Sequence, residues 1–75
     1  MDTYRIKDLY LAAFLYSEGV SIVKLDRAGT VCWFNFGDKT RCEQLASNYW
    51  ADTASVRVKS YTDSLRTLKD LIFAQ

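Results

Sequence analysis

Histidine is absent from the 75 residues. That removes the commonest general base and the commonest transition-metal ligand. A Ser-His-Asp or Cys-His nucleophile cannot be assembled within one chain. Proline is absent too, so the breaks must fall at the three glycines and at polar clusters. Gly19, Gly29 and Gly37 stand too far apart for a phosphate-cradling loop. Cysteine is scarce. Cys32 and Cys42 make no disulfide framework, and two thiols do not complete a four-ligand zinc site; at inward positions of a strand and a helix they read as buried packing. Excess charge is missing as well. Ten basic against nine acidic residues leave +1, without the basic footprint expected of a DNA-binding protein. The longest apolar run, residues 9–16, is far short of the about 20 residues that span a bilayer, and Asp2 and Asp8 beside it read against a signal peptide. The expectation is a cytoplasmic protein with no cofactor, no metal and no membrane attachment.

Apolar residues, by contrast, are plentiful: 49% hydrophobic and 15% aromatic. A single domain over residues 1–75 buries only about 60% of its unfolded surface. So rich a supply predicts a dense core, or apolar surface kept for a partner. In the run Leu9-Tyr10-Leu11-Ala12-Ala13-Phe14-Leu15-Tyr16 the apolar positions go nearly all round a helix, which predicts a helix enclosed on several sides. It is expected over residues 7–18, with Asp8 in its first turn and Gly19 at a left-handed C-cap. Residues 3–6 fit a short edge strand ahead of it.

Residues 20–27 and 30–36 are rich in β-branched and aromatic side chains, the composition of strands. Ala28-Gly29 between them predicts a hairpin with two competing registers. A two-residue loop pairs Leu25 with Cys32 and Val23 with Phe34, and sets Lys24 opposite Trp33 on the other face. A three-residue loop gathers Val20, Ile22, Cys32, Phe34 and Phe36 on one face, and Val23, Leu25, Val31 and Trp33 on the other. A one-residue slip thus decides whether the sheet has one apolar face or two. The two-residue loop is preferred, because a strained alanine costs about 1 kcal/mol and an exposed apolar face more.

Beyond Gly37, Thr40 and Glu43 form a capping-box pair with Asp38 as the competing N-cap. Cys42, Leu45, Ala46 and Tyr49 make a buried stripe on a helix ending near residues 50–52. After the polar break 52–55, Ser55 is an N-cap for a third helix to about Phe73. Its seam is Val58, Tyr61, Leu65, Leu68 and Ile72, and its outer face pairs Lys59 with Asp63 and Arg66 with Asp70 at i,i+4. The fold expected is α+β: helix, antiparallel hairpin with a short N-terminal third strand, helix, helix, with the first helix central.

Three blocks carry a resemblance: Tyr4-Arg5-Ile6-Lys7-Asp8-Leu9-Tyr10-Leu11-Ala12-Ala13-Phe14-Leu15, the strand end Phe34-Asn35-Phe36 followed by Asp38, and Leu65-Arg66-Thr67-Leu68-Lys69-Asp70-Leu71-Ile72-Phe73. Together they resemble a small uncharacterised domain family of bacteria and their mobile elements, a domain of unknown function. The resemblance implies a fold and a bacterial or mobile-element setting, and brings no activity with it.

Candidate sites come from the residues themselves. Carboxylates such as Glu18, Asp26, Glu43 and Asp63 scatter over helix ends, turns and exposed faces, so no paired acid–base site is indicated. The aromatics are too many for one small core, and tyrosine and tryptophan are favoured at interfaces. Lys24 with Trp33 on the outer hairpin face, and Tyr49 with Trp50 at the end of the second helix, are the candidate partner contacts. Arg57, Lys59, Arg66 and Lys69 could instead contact phosphates while a tryptophan stacks on a base; interleaved acids favour an ordinary solvated face there. The function expected is a non-enzymatic protein-interaction module that self-associates, a phage-encoded inhibitor of a host protein being one variant. The alternative is a nucleic-acid-binding accessory protein of a mobile element.

Overall fold

The computed structural model of the chain describes residues 2–52 and 55–74. The elements run β1 (Tyr4–Ile6), α1 (Leu9–Ser17), β2 (Ile22–Ala28), β3 (Val31–Phe36), α2 (Lys39–Trp50) and α3 (Val58–Ala74). This is the α+β order expected, with the N-terminal strand present. The three strands form one antiparallel sheet in the order β1-β3-β2. β3, with the densest apolar sequence, takes the middle.

The helix α1 is set by its two ends. The Asp8 carboxylate accepts from the N–H groups of Tyr10 and Leu11 at 2.9 and 3.1 Å, which makes it the N-cap rather than a first-turn residue. At the other end Gly19 adopts φ +91°. Its N–H donates to the Tyr16 carbonyl at 3.1 Å, and the N–H of Val20 to that of Leu15 at 3.2 Å. That pair is a Schellman closure, which a residue with a Cβ would strain. Between the caps Leu11, Ala12, Ala13, Phe14 and Leu15 are all buried. Five consecutive residues at about 100° each pass right round the axis, so α1 is enclosed as its composition predicts. It packs against α3, and more lightly against α2. One core joins its side chains to Phe34 and Phe36 of β3, Cys42 and Ala46 of α2, and Leu68 of α3.

The hairpin corrects both expected registers. Ala28 pairs with Val31, so the turn has two residues, but they are Gly29 and Thr30. Gly29 sits at φ +64° while Thr30 has no positive φ. Positive φ at the first central position alone is the pattern of a type II′ turn, with glycine where that turn wants it. Leu25 then faces Phe34, and Lys24 faces Asn35 rather than Trp33. A bulge at Val23 shifts the pairing so that Ile22 faces Phe36. Without the extra residue Ile22 would point outward; with it, Val23 is left 63% exposed. The near half thus keeps a two-residue loop moved by one position, and the far half takes the three-residue register. Together they give one apolar face.

The other two helix starts also differ from expectation. Asp38, in the left-handed region at φ 52°, caps α2 through the Arg41 N–H at 3.3 Å, and the Thr40/Glu43 box does not form the cap. Aspartate tolerates that conformation better than most residues. α3 starts at Val58, and the Arg57 carbonyl accepts its first bond from the Tyr61 N–H at 2.9 Å. Val58 is therefore 80% exposed, and Ser64, at 7%, takes an inward place beside Leu68. Lys59 reaches Asp63 at 3.1 Å; among the described residues the Arg66–Asp70 pair does not form. Near the far end of α3, the Arg27 guanidinium donates to the Ile72 carbonyl, a cation placed at the negative end of the helix.

Cys42 and Cys32 are free and buried. The Cys42 Sγ lies 3.4 Å from the Gly37 carbonyl, to which it donates. Burial, with the Asp38 carboxylate adding and Arg41 opposing, pushes this thiol up. The folded state holds its proton more tightly than the unfolded state does. The associated stability is intact below the ordinary thiol pKa of about 8.5 and is lost as pH rises through the raised value. Urea midpoints at about pH 7.5 and 9.5 are expected to fall further for the wild type than for Cys42→Ala. Parallel falls would contradict the assignment. The Tyr61 hydroxyl, also pushed up by burial, adds a later loss common to both proteins. Among the described residues no helix is long and apolar enough to cross a membrane.

Candidate interaction surface

Among the described residues, helices cover one face of the sheet and leave the other open. Alternation along each strand sends Arg5, Lys24, Asp26, Trp33 and Asn35 to that open face. Strand order then sets them in rows. Arg5 of β1 faces Asn35 of β3, which faces Lys24 of β2; in the next row Trp33 faces Asp26. The Arg5 guanidinium lies 4.2 Å from the Trp33 ring centroid, and the Lys7 ammonium 5.7 Å. Both are within cation–π range.

Asp26 ties the rows together. It accepts from Asn35 Nδ2 at 3.1 Å and pairs with Lys24 Nζ at 3.3 Å and Arg5 Nε at 3.9 Å. Asn35, only 7% exposed, spends its amide on Asp26 and on the Lys24 carbonyl at 3.2 Å. The Lys24 hydrogen bond, with help from Asn35 and Arg5, holds the Asp26 carboxyl below its ordinary value. Three cations and one anion around a tryptophan leave this face positive. It is a polar lattice laid across all three strands, a charge arrangement that favours a nearby anion.

The expected contacts fall on two surfaces. Lys24 and Trp33 share the open sheet face. Tyr49 and Trp50 lie on the helical side, their rings 5.1 Å apart and edge-on; Tyr49 also packs on Phe14 at 5.5 Å. Trp50 is 66% exposed and Tyr49 half-buried, so Tyr49 belongs as much to the core as to any contact. The four cations in and before α3 do not make a patch. Lys59, Asp63, Arg66 and Asp70 recur at spacings of 4, 3 and 4, one stripe of alternating sign. Lys69 lies beside it, and Arg57 precedes the helix.

Arg5, Lys7, Asp26 and Asn35 were not among the expected contacts. The signal for Arg5 was present: a cation between Tyr4 and Ile6 in a short strand must point outward. What could not be read was that β1 would lie against β3 and not β2. Among the described residues no three of Cys, Asp and Glu come together as a metal site would require.

No curated protein and no solved structure matches the chain. A family profile does, over residues 1–74. The chain belongs to that family, DUF5659, a domain of unknown function.

Proposed function

We propose that the domain is a non-enzymatic protein-interaction module of the cytoplasm, self-associating, whose open sheet face takes an acidic protein partner. The observation that carries this is Trp33 held beneath Arg5 and Lys7 on a face that no element covers among the described residues. A half-buried tryptophan with a guanidinium stacked on it is the kind of anchor that dominates interface energetics. The cations around it would speed encounter with an acidic surface and make binding salt-sensitive. The nucleic-acid reading built on Arg57, Lys59, Arg66 and Lys69 has less support, because Asp63 and Asp70 break that run.

The test uses the full chain immobilised against extract of its own cell, with Arg5→Glu/Trp33→Ala and Trp50→Ala as parallel baits. Proteins held by the wild type and by Trp50→Ala are expected to be lost from the double variant, and to elute with moderate salt. Retention that ignores the double variant would overturn the reading. Loss on nuclease treatment would move it to nucleic acid.

A further inference from the structure

The sheet ends on one side in β2, a strand of seven residues with no neighbour beyond it among the described residues, whereas the opposite edge, β1, has three. An open edge is a template for another strand. Its usable backbone groups follow from the turn. In a two-residue turn closing on Ala28 and Val31, the Ala28 carbonyl accepts from the Val31 N–H, so Ala28 faces β3. Alternation then turns Asp26 and Lys24 toward β3 too; the Asn35 amide on the Lys24 carbonyl agrees. The N–H and C=O groups of Leu25 and Arg27 face the open side.

We propose that β2 pairs with β2 of a second copy, antiparallel about a two-fold axis at Leu25, to make a continuous six-stranded sheet. This rests on the self-association in the proposed function and names its surface. Charge selects the register. Antiparallel pairing must set outward-facing residues opposite one another, so allowed registers differ by two residues. Centring on Lys24 sets Lys24 against its own copy, and centring on Asp26 sets Asp26 against its own copy. Centring on Arg27 repeats the fault with Arg27. Like charges directly opposite are destabilising. Centring on Leu25 sets Lys24 opposite the second copy's Asp26 twice over, and Leu25 against Leu25. Those charged pairs are the non-hydrogen-bonded kind, whose side chains approach more closely. Two exposed apolar residues, Tyr16 and Val23, flank the same groove along β2, with Leu71 behind them. The bulge at Val23 confines the regular pairing to the turn-proximal part of the strand. Joined this way, the two open faces lie side by side, doubling the Arg5/Trp33 surface offered to an acidic partner.

The test is sedimentation velocity of the full chain across a concentration series, with circular dichroism to establish that each variant is folded. Wild type is expected to dimerise. Lys24→Glu alone sets acid against acid, and Asp26→Lys alone sets lysine against lysine; each is expected to weaken the dimer at least tenfold. Mixed in equal amounts, the two variants match at both charged pairs, and a heterodimer of near wild-type affinity is expected. A lost ion pair within the monomer could not be repaired by mixing. A wild type that stays monomeric up to millimolar concentration overturns both this proposal and the self-association it rests on. A dimer indifferent to either variant leaves self-association standing and overturns the β2 interface.

Discussion

Phe34→Ala is expected to bring the protein to the edge of unfolding at 25 °C. Phe34 is 1% exposed in the middle of the central strand, between Ile6 and Leu25 on its two neighbours. Removing a buried phenylalanine ring costs about 3–5 kcal/mol, part transfer and part cavity. The whole stability of a 75-residue domain is about 4–11 kcal/mol, and a chain this short belongs toward the lower end. The substitution therefore removes most or all of it. Trp33→Ala, one residue away, is the informative control. Its ring lies on the open face, where the main loss is the stack beneath Arg5 and Lys7, about 0.5–1 kcal/mol per exposed cation–π contact. Chemical denaturation followed by circular dichroism should show a cooperative transition at moderately reduced urea for Trp33→Ala, and little or none for Phe34→Ala. Comparable losses from the two would mean that the faces of β3 are wrongly assigned.

The contrast between these neighbours also shows where the sequence was legible. Burial on a helix enclosed all round needs no register, so Leu11 to Leu15 could be read from composition alone. A strand needs its register before any side chain has a face. For β2 the register depended on two local events. One was the choice between Ala28-Gly29 and Gly29-Thr30 as the turn; the other was a bulge at Val23. The first follows from turn chemistry, since a single positive φ at the leading position suits Gly29 and not Ala28. The second is set by packing across the sheet, because keeping both Leu25 and Ile22 inward takes one extra residue between them. No local pattern announces it. The candidate site inherited the same limit. Alternation alone puts Trp33 and Lys24 on the outer face, but the cations that give Trp33 its character come from β1 and just beyond it. Its position against β3 is a long-range fact.

Leu68→Ala and Val58→Ala should differ by several kcal/mol although both residues lie on one helical seam when only spacing is considered. Leu68 is fully buried in the core that joins α1 and α3, and its truncation is expected to cost about 2–5 kcal/mol. Val58 is 80% exposed in the first turn of α3. Exposed truncations away from special features fall within about 0.5 kcal/mol, and alanine is the better helix former by up to about 0.7 kcal/mol. Val58→Ala is therefore expected to be neutral or slightly stabilising. The reason lies in where α3 begins: the Arg57 carbonyl starts the helical bonding, and the first apolar residue of α3 packed against the core is Tyr61, half-buried with its hydroxyl 3.4 Å from the Tyr10 carbonyl. Urea midpoints for the two variants, with unchanged slopes, measure the difference directly. A marked loss of stability in Val58→Ala would place the N-terminal turn of α3 against the core and lengthen the α1–α3 contact by one turn. A mild effect of Leu68→Ala would remove α3 from the packing that encloses α1.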